Sequence, residues 1–175
     1  MSGKLMSMVI LLCAVLAGGL LYYLQIYGFY TDVADGAAEV TLTARDDDTP
    51  HEIPYAAFQA IDAESSPIRY RACFVTSMAL DRLDEDFLPY PNAEPRNAPG
   101  WFDCFDARAI AAELAAGTAR AYLGQKNVAY GVDRIVAITS DGRGYVWHDL
   151  NACGDRAYDG TQIGEDCPPR PAPGN

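Results

Sequence analysis

No charged residue occurs between Lys4 and Asp32, and that gap excludes residues 5–30 from being an ordinary amphipathic surface helix, whose outer face would be polar. Basic residues are scarce elsewhere too: two lysines and eleven arginines stand against 24 acidic residues, for a formal net charge of -11. A chain so acidic is excluded from nucleic-acid binding and repelled by anionic lipid surfaces. Histidine is limited to His51 and His148, and no C-x-x-C spacing exists, which argues against a cysteine-ligated zinc site. Haem attachment is absent for the same reason, since Cys153 is followed by Gly154-Asp155-Arg156. None of Ser65, Ser66, Ser77 or Ser140 lies in a Gly-x-Ser-x-Gly elbow. The glycine-rich stretch at 142–144 opens no helix and matches no phosphate loop. No cofactor is expected.

What is there begins with the apolar run itself. A helix rises about 1.5 Å per residue and a hydrocarbon core is roughly 30 Å thick, so about 20 apolar residues suffice to cross it. The body of the run, Met8 to Leu21, is aliphatic, and its far end gathers Tyr22, Tyr23, Tyr27, Phe29 and Tyr30, rings suited to the headgroup layer. A cleaved signal would need a shorter core and a small-x-small site, for which Val33-Ala34-Asp35 is a weak match. A lipoprotein signal would need a small residue before Cys13, where Leu12 stands. The run reads as a retained anchor that meets the bilayer through residues 5–30. Lys4 precedes it, and Asp32, Asp35 and Glu39 follow, which places the N-terminus in the cytoplasm and the rest outside. Ala14 and Gly18, with Ala17 and Gly19 beside them, form a small-xxx-small pattern that leaves a homo-oligomer open, although small residues are common in membrane helices.

Three regions follow from this: 1–30 as cytoplasmic N-terminus and transmembrane anchor, 31–167 as one ectodomain, and 168–175 as a disordered proline-rich tail. Abundant alanine and the preference for arginine over lysine fit a GC-rich bacterial genome, so the outside is read as a periplasm and the membrane as the bacterial inner membrane. Four cysteines, Cys73, Cys104, Cys153 and Cys167, lie beyond the anchor, and an even number in an oxidising compartment reads as two disulfides. Three connectivities are possible. Cys73–Cys104 with Cys153–Cys167 is preferred, because each pair brackets a loop-rich stretch.

Along the ectodomain, Val40 to Ala44 alternates as a strand and returns through Asp46-Asp47-Asp48-Thr49-Pro50 to His51-Glu52-Ile53, a hairpin with a solvated acidic turn in place of a spaced calcium loop. Pro54 to Ala63 is expected to be a short helix on the strength of its alanines. Ile68 to Val75 alternates as a central strand with Arg69, Arg71, Cys73 and Val75 on one face. A short helix is expected near Leu80 to Glu85, then a proline-rich segment from Leu88 to Pro99 that is neither helix nor inner strand. The best helix is Ala107 to Ala116, capped by Asp106 and stopped by Gly117, with Ile110, Leu114, Ala111 and Ala115 as its buried stripe. A meander closes the domain: Arg120 to Leu123, Asp133 to Thr139, and Tyr145 to Leu150, with Gly142 and Gly144 supplying positive φ in the last turn. The fold class is α+β: one N-terminal transmembrane helix, then a small disulfide-stabilised domain with a mainly antiparallel sheet and one to three short helices.

Candidate sites are few. Arg69 and Arg71 on one strand face are candidate ligands for an anion or small molecule, against the alternative of salt bridges to the domain's own carboxylates. His148 beside Asp149 is a weak catalytic candidate, because alternation points the two to opposite faces. Trp101 reads as a core or covering residue.

The runs Ile53-Pro-Tyr-Ala-Ala-Phe-Gln-Ala-Ile-Asp62, Ser66-Pro-Ile-Arg-Tyr-Arg-Ala-Cys-Phe74, Asn97-Ala-Pro-Gly-Trp-Phe-Asp-Cys-Phe105 and Gly142-Arg-Gly-Tyr-Val-Trp-His148 resemble an uncharacterised alphaproteobacterial family of small single-pass membrane proteins, a domain of unknown function. The resemblance implies membrane anchorage and this arrangement of cysteines, and it brings no activity or site. The expected function is therefore a non-enzymatic interaction or assembly module of an envelope complex, with an envelope or membrane protein as partner. An anion-binding sensor built on Arg69 and Arg71 is the alternative from a second class, and an envelope hydrolase around His148 the third.

Overall fold

Residues 3–34, 40–165 and 167–169 are described by a computed structural model of the chain. Asp35 and Glu39, used above for the cleavage site and the charge balance, and the tail from Arg170 onward lie outside those residues. Helix α1 (Gly3–Tyr23) has 21 residues and a length of about 31 Å at 1.5 Å each. It buries none of its side chains, leaving Ile10 65% and Val15 70% exposed. A π-helical turn, Leu24–Gly28, extends it, with the Phe29 amide donating to the Leu24 carbonyl at 3.1 Å. Together they form the one helix among the described residues that is long and apolar enough to cross a membrane.

The remainder is built on a six-stranded antiparallel sheet. Its strands are β1 (Thr31–Val33), β4 (Ala56–Asp62), β5 (Arg71–Val75), β6 (Ala119–Ala129), β7 (Val132–Thr139) and β8 (Arg143–Leu150), in the order β1-β4-β5-β8-β7-β6. A separate hairpin, β2 (Thr41–Thr43) and β3 (Pro50–Glu52), packs over one face. Its Thr41 and Thr43 hydroxyls both donate to the Gly124 carbonyl of β6 at 3.3 Å. Helix α2 (Leu80–Asp86) joins the hairpin on that face, and α3 (Ala107–Ala116) covers the other.

Strand pleating sorts the core into two clusters. Tyr70, just before β5, with Ala72 and Phe74 of β5, Val136 and Ile138 of β7 and Val146 of β8, faces the hairpin and α2, against Leu42, Ile53, Leu83 and Phe87. Cys73, Ile135, Ala137, Tyr145 and Trp147 face α3, against Phe102, Phe105 and Ile110. Trp147 is wholly buried between Phe105 and the middle of the sheet. The disulfide Cys73–Cys104 ties the inner strand β5 to the loop that leads into α3. A second, Cys153–Cys167, closes a small lobe after β8 in which no described residue is buried.

Helix α3 begins and ends on its caps: the Asp106 carboxylate accepts from the amides of Arg108 and Ala109, and Gly117 turns left-handed at φ 74°. Its buried stripe is narrower than expected. Ala107 and Ile110 are buried and Leu114 half-buried, while Ala111 and Ala115 face outward.

Other expectations need correction. Pro54 to Ala63 is not a helix: β4 pairs with β1 on one edge and β5 on the other, which outweighs the weak helical preference of its alanines. A register shift between Ala56 and Gln59, with Ala57 at φ 52°, absorbs the mismatch between its length and its partner's. The strand expected from Ile68 starts only at Arg71, because Pro67–Arg69 forms a 3₁₀ turn with proline at its first position. Strand β6 runs well past the expected Leu123. Gly142 does take positive φ, 87°, but Gly144 does not; a Cβ there would lie 2.1 Å from the Phe74 ring, so it is glycine for close approach.

Candidate functional site

The end of the sheet where β1 leaves the apolar helix carries four buried polar side chains, Arg71, Asp133, His148 and Asp149. Arg71 starts β5 and is 4% exposed. Its Nε donates to the Arg96 carbonyl at 3.0 Å, Nη1 to those of Ile68 and Tyr70 at 2.9 and 2.6 Å, and Nη2 to that of Asn97 at 2.9 Å. Four of its five N–H groups thus hold backbone, clamping the 3₁₀ turn and the proline-rich segment to the sheet. Burial pulls its pKa down to about 10, so it remains a cation at neutral pH. Arg69 sits on the turn, outside the strand, with its Cζ 5.6 Å from the centroid of the Tyr30 ring. Its Nη1 is buried without a hydrogen-bond partner. The two arginines therefore do not form one clamp: Arg71 is occupied by carbonyls, and Arg69 alone lacks an acceptor.

His148 and Asp149 point to opposite faces, as strand geometry requires. The His148 ring stacks on Tyr70 at 4.7 Å and is 7% exposed. Arg134, its register partner on β7, donates from Nε to His148 Nε2 at 3.1 Å, so the ring's proton is on Nδ1, facing the Pro67 carbonyl at 2.8 Å. Burial, reinforced by Arg134 and Arg71, lowers its pKa to about 4. A histidine whose acceptor nitrogen is already capped by a guanidinium cannot take a proton from a substrate, and no serine or cysteine is hydrogen-bonded to it among the described residues. Asp149 instead accepts from Arg96 Nε at 2.9 Å. His51 lies on β3, 3.0 Å from a carboxylate oxygen of Asp47 in the acidic turn, and this hydrogen bond is the main cause that holds the Asp47 pKa at about 2. Among the described residues no three His, Cys, Asp or Glu side chains converge as a metal site.

A feature that residue spacing does not reveal lies along the proline-rich segment. Residues 88–99 run beside β6, with the Tyr90 amide donating to the Ala121 carbonyl at 2.8 Å and the Leu123 amide to the Leu88 carbonyl at 3.0 Å. This shields the middle of an edge strand. Between the segment and the outward face of α3 runs a groove of about 810 Å³, walled by Tyr90, Ala93, Ala111, Leu114, Ala115 and Ala121. Asp84 and Glu94 also line it, and Arg120 is ion-paired with Asp84. A second groove of about 580 Å³ shares Pro89, Tyr90, Asn92 and Glu94 with the first and continues toward Lys126 and Glu165. Only the outward alanines of α3 hint at it, and helical spacing assigns Ala111 and Ala115 to the core instead.

Beside Tyr30 and Arg69, Trp101 fastens the domain to the helix. Its indole Nε1 donates to the Ile26 carbonyl at 2.7 Å, and its ring stacks on Tyr27 at 6.2 Å and meets Tyr30 edge-on at 5.8 Å. The carbonyl it caps belongs to the closing turn of the helix, where backbone carbonyls have no partner further along it. No curated protein and no solved structure matches the chain. A family model described as a family of unknown function, DUF6446, matches residues 40–168, most of the chain and nearly all of it beyond the helix; the chain belongs to that family.

Proposed function

We propose that the chain is a membrane-anchored, non-enzymatic interaction or assembly module, held in a bacterial inner membrane with its N-terminus in the cytoplasm and its folded domain in the periplasm. The observation that carries this reading is the pair of adjoining grooves along the proline-rich segment, apolar on their walls and acidic at their margins. An exposed alanine face on α3 has no packing role in the domain, and such a face beside an aromatic ring suits a partner's side chains. The disulfides fit an oxidising compartment, and a helix with every side chain unburied fits a bilayer. The acidic margins favour a partner with arginine or lysine at the rim of its contact.

A photoreactive residue at position 115, with one at position 158 on the exposed lobe as control, tests it in native membranes. One discrete adduct is expected at 115 and none at 158, and Ala111→Arg, which fills the groove, should abolish it. A chain that runs alone at 115 as at 158 would refute the module.

A further inference from the structure

We propose that Arg69 and the exit of α1 form a binding site for the phosphodiester of a zwitterionic phospholipid, of the kind whose headgroup also carries a primary ammonium. This goes beyond the interaction module and rests on the reading that α1 remains in the bilayer. Arg69 has no hydrogen bond or ion pair among the described residues, although Arg82, Arg96, Arg120 and Arg143 all find carboxylates in this acidic domain. A part-buried guanidinium with an unpaired Nη1 is costly unless an acceptor arrives.

Its position specifies which acceptor. The cation lies against Tyr30, Tyr30 meets Trp101, and Trp101 stacks on Tyr27 and caps the Ile26 carbonyl, so Arg69 is fixed to the aromatic end of the apolar helix. That end belongs at headgroup depth, where phosphodiester oxygens are the abundant acceptors and match a guanidinium two at a time. The surrounding charge chooses the headgroup. Asp32 is exposed on β1, two residues beyond the Tyr30 that Arg69 lies against, in a chain of net charge -11. This repels a net-negative lipid and suits an ammonium adjacent to the phosphate. Arg71 and Arg96 do not compete, being held by carbonyls and by Asp149.

The test uses the full chain in mild detergent, titrated with phosphatidylethanolamine, phosphatidylglycerol or inorganic phosphate and read by native mass spectrometry. One bound phosphatidylethanolamine is expected, with occupancy falling roughly tenfold or more in Arg69→Gln. Arg108→Gln, an exposed arginine on α3, should leave occupancy unchanged. Circular dichroism reports whether Arg69→Gln folds. If it does not, Asp32→Asn carries the test, and it should shift preference toward phosphatidylglycerol. Equal occupancy in Arg69→Gln and the parent, tighter binding of phosphatidylglycerol by the parent, or binding of inorganic phosphate that displaces the lipid would each overturn the proposal. Failure of the anchor itself would show separately, as a chain that lacks residues 1–30.

Discussion

The two disulfides should contribute very differently to stability, although loop entropy alone would make them similar. Closing loops of 31 and 14 residues is worth about 3.7 and about 3.0 kcal/mol in the chain-entropy model. Cys73, however, sits 8% exposed on an inner strand, packed in the same cluster as Trp147, Phe105 and Ile110. Its bond restrains the cooperative core. Cys153–Cys167 closes a lobe with no buried described residue, so its loss should release that lobe locally while the sheet stays intact. Replacing Cys73 and Cys104 together by alanine should therefore lower Tm by roughly 10–15 °C in a domain of this size, at about 3–4 °C per kcal/mol. Replacing Cys153 and Cys167 should shift the same transition by under about 3 °C. Thermal unfolding of the full chain in detergent, followed by tryptophan fluorescence, reads both, because Trp147 reports the core. Equal shifts, or a larger one from the lobe, would refute the assignment of the core bond as the stabilising one.

Further outcomes follow from the packed end of the sheet. His148 titrates near 6.5 when unfolded and at about 4 in the fold, so the unfolded chain binds more protons between those values and stability rises with pH across that window. About 3 kcal/mol should be lost as pH falls through it, and His148→Gln should flatten denaturant-midpoint measurements between pH 4 and 6.5. Arg71→Met leaves buried carbonyls unpaired and should cost at least about 3 kcal/mol, with faster amide exchange in residues 96–97. Gly144→Ala drives a Cβ into the Phe74 ring and should cost about 1–3 kcal/mol by urea unfolding, whereas Ala112→Ser on the outer face of α3 should be near neutral.

Where local chemistry decides the outcome, the sequence was legible. Asp106 and Gly117 bound α3 because a carboxylate cap and a left-handed glycine act within one turn, and β7 and β8 follow from alternation around Gly142. Where tertiary pairing decides, it was not. The alanines of β4 say helix, yet two neighbouring strands claim its backbone. Arg69 and Arg71 look like a pair at strand spacing, but Pro67 sets a 3₁₀ turn that removes Arg69 from the strand. The groove was hidden because it forms where residues 89–95 fold back against residues 111–121, and its walls are largely alanines, which carry no chemical signature. Trp101 reads from sequence as a core or covering residue, but what it covers, the end of the apolar helix through the Ile26 carbonyl of its closing turn, is set by tertiary packing.

A helix that is kept and a domain folded where thiols oxidise are both tested by one measurement: the intact mass of the chain extracted from native membranes, with free thiols alkylated and without prior reduction. A chain that retains residues 1–30, is lighter by four hydrogens than the fully reduced form, and takes up one alkyl group, at Cys13, is the predicted result. A chain cleaved near residue 34, or one that takes up five alkyl groups, would contradict it.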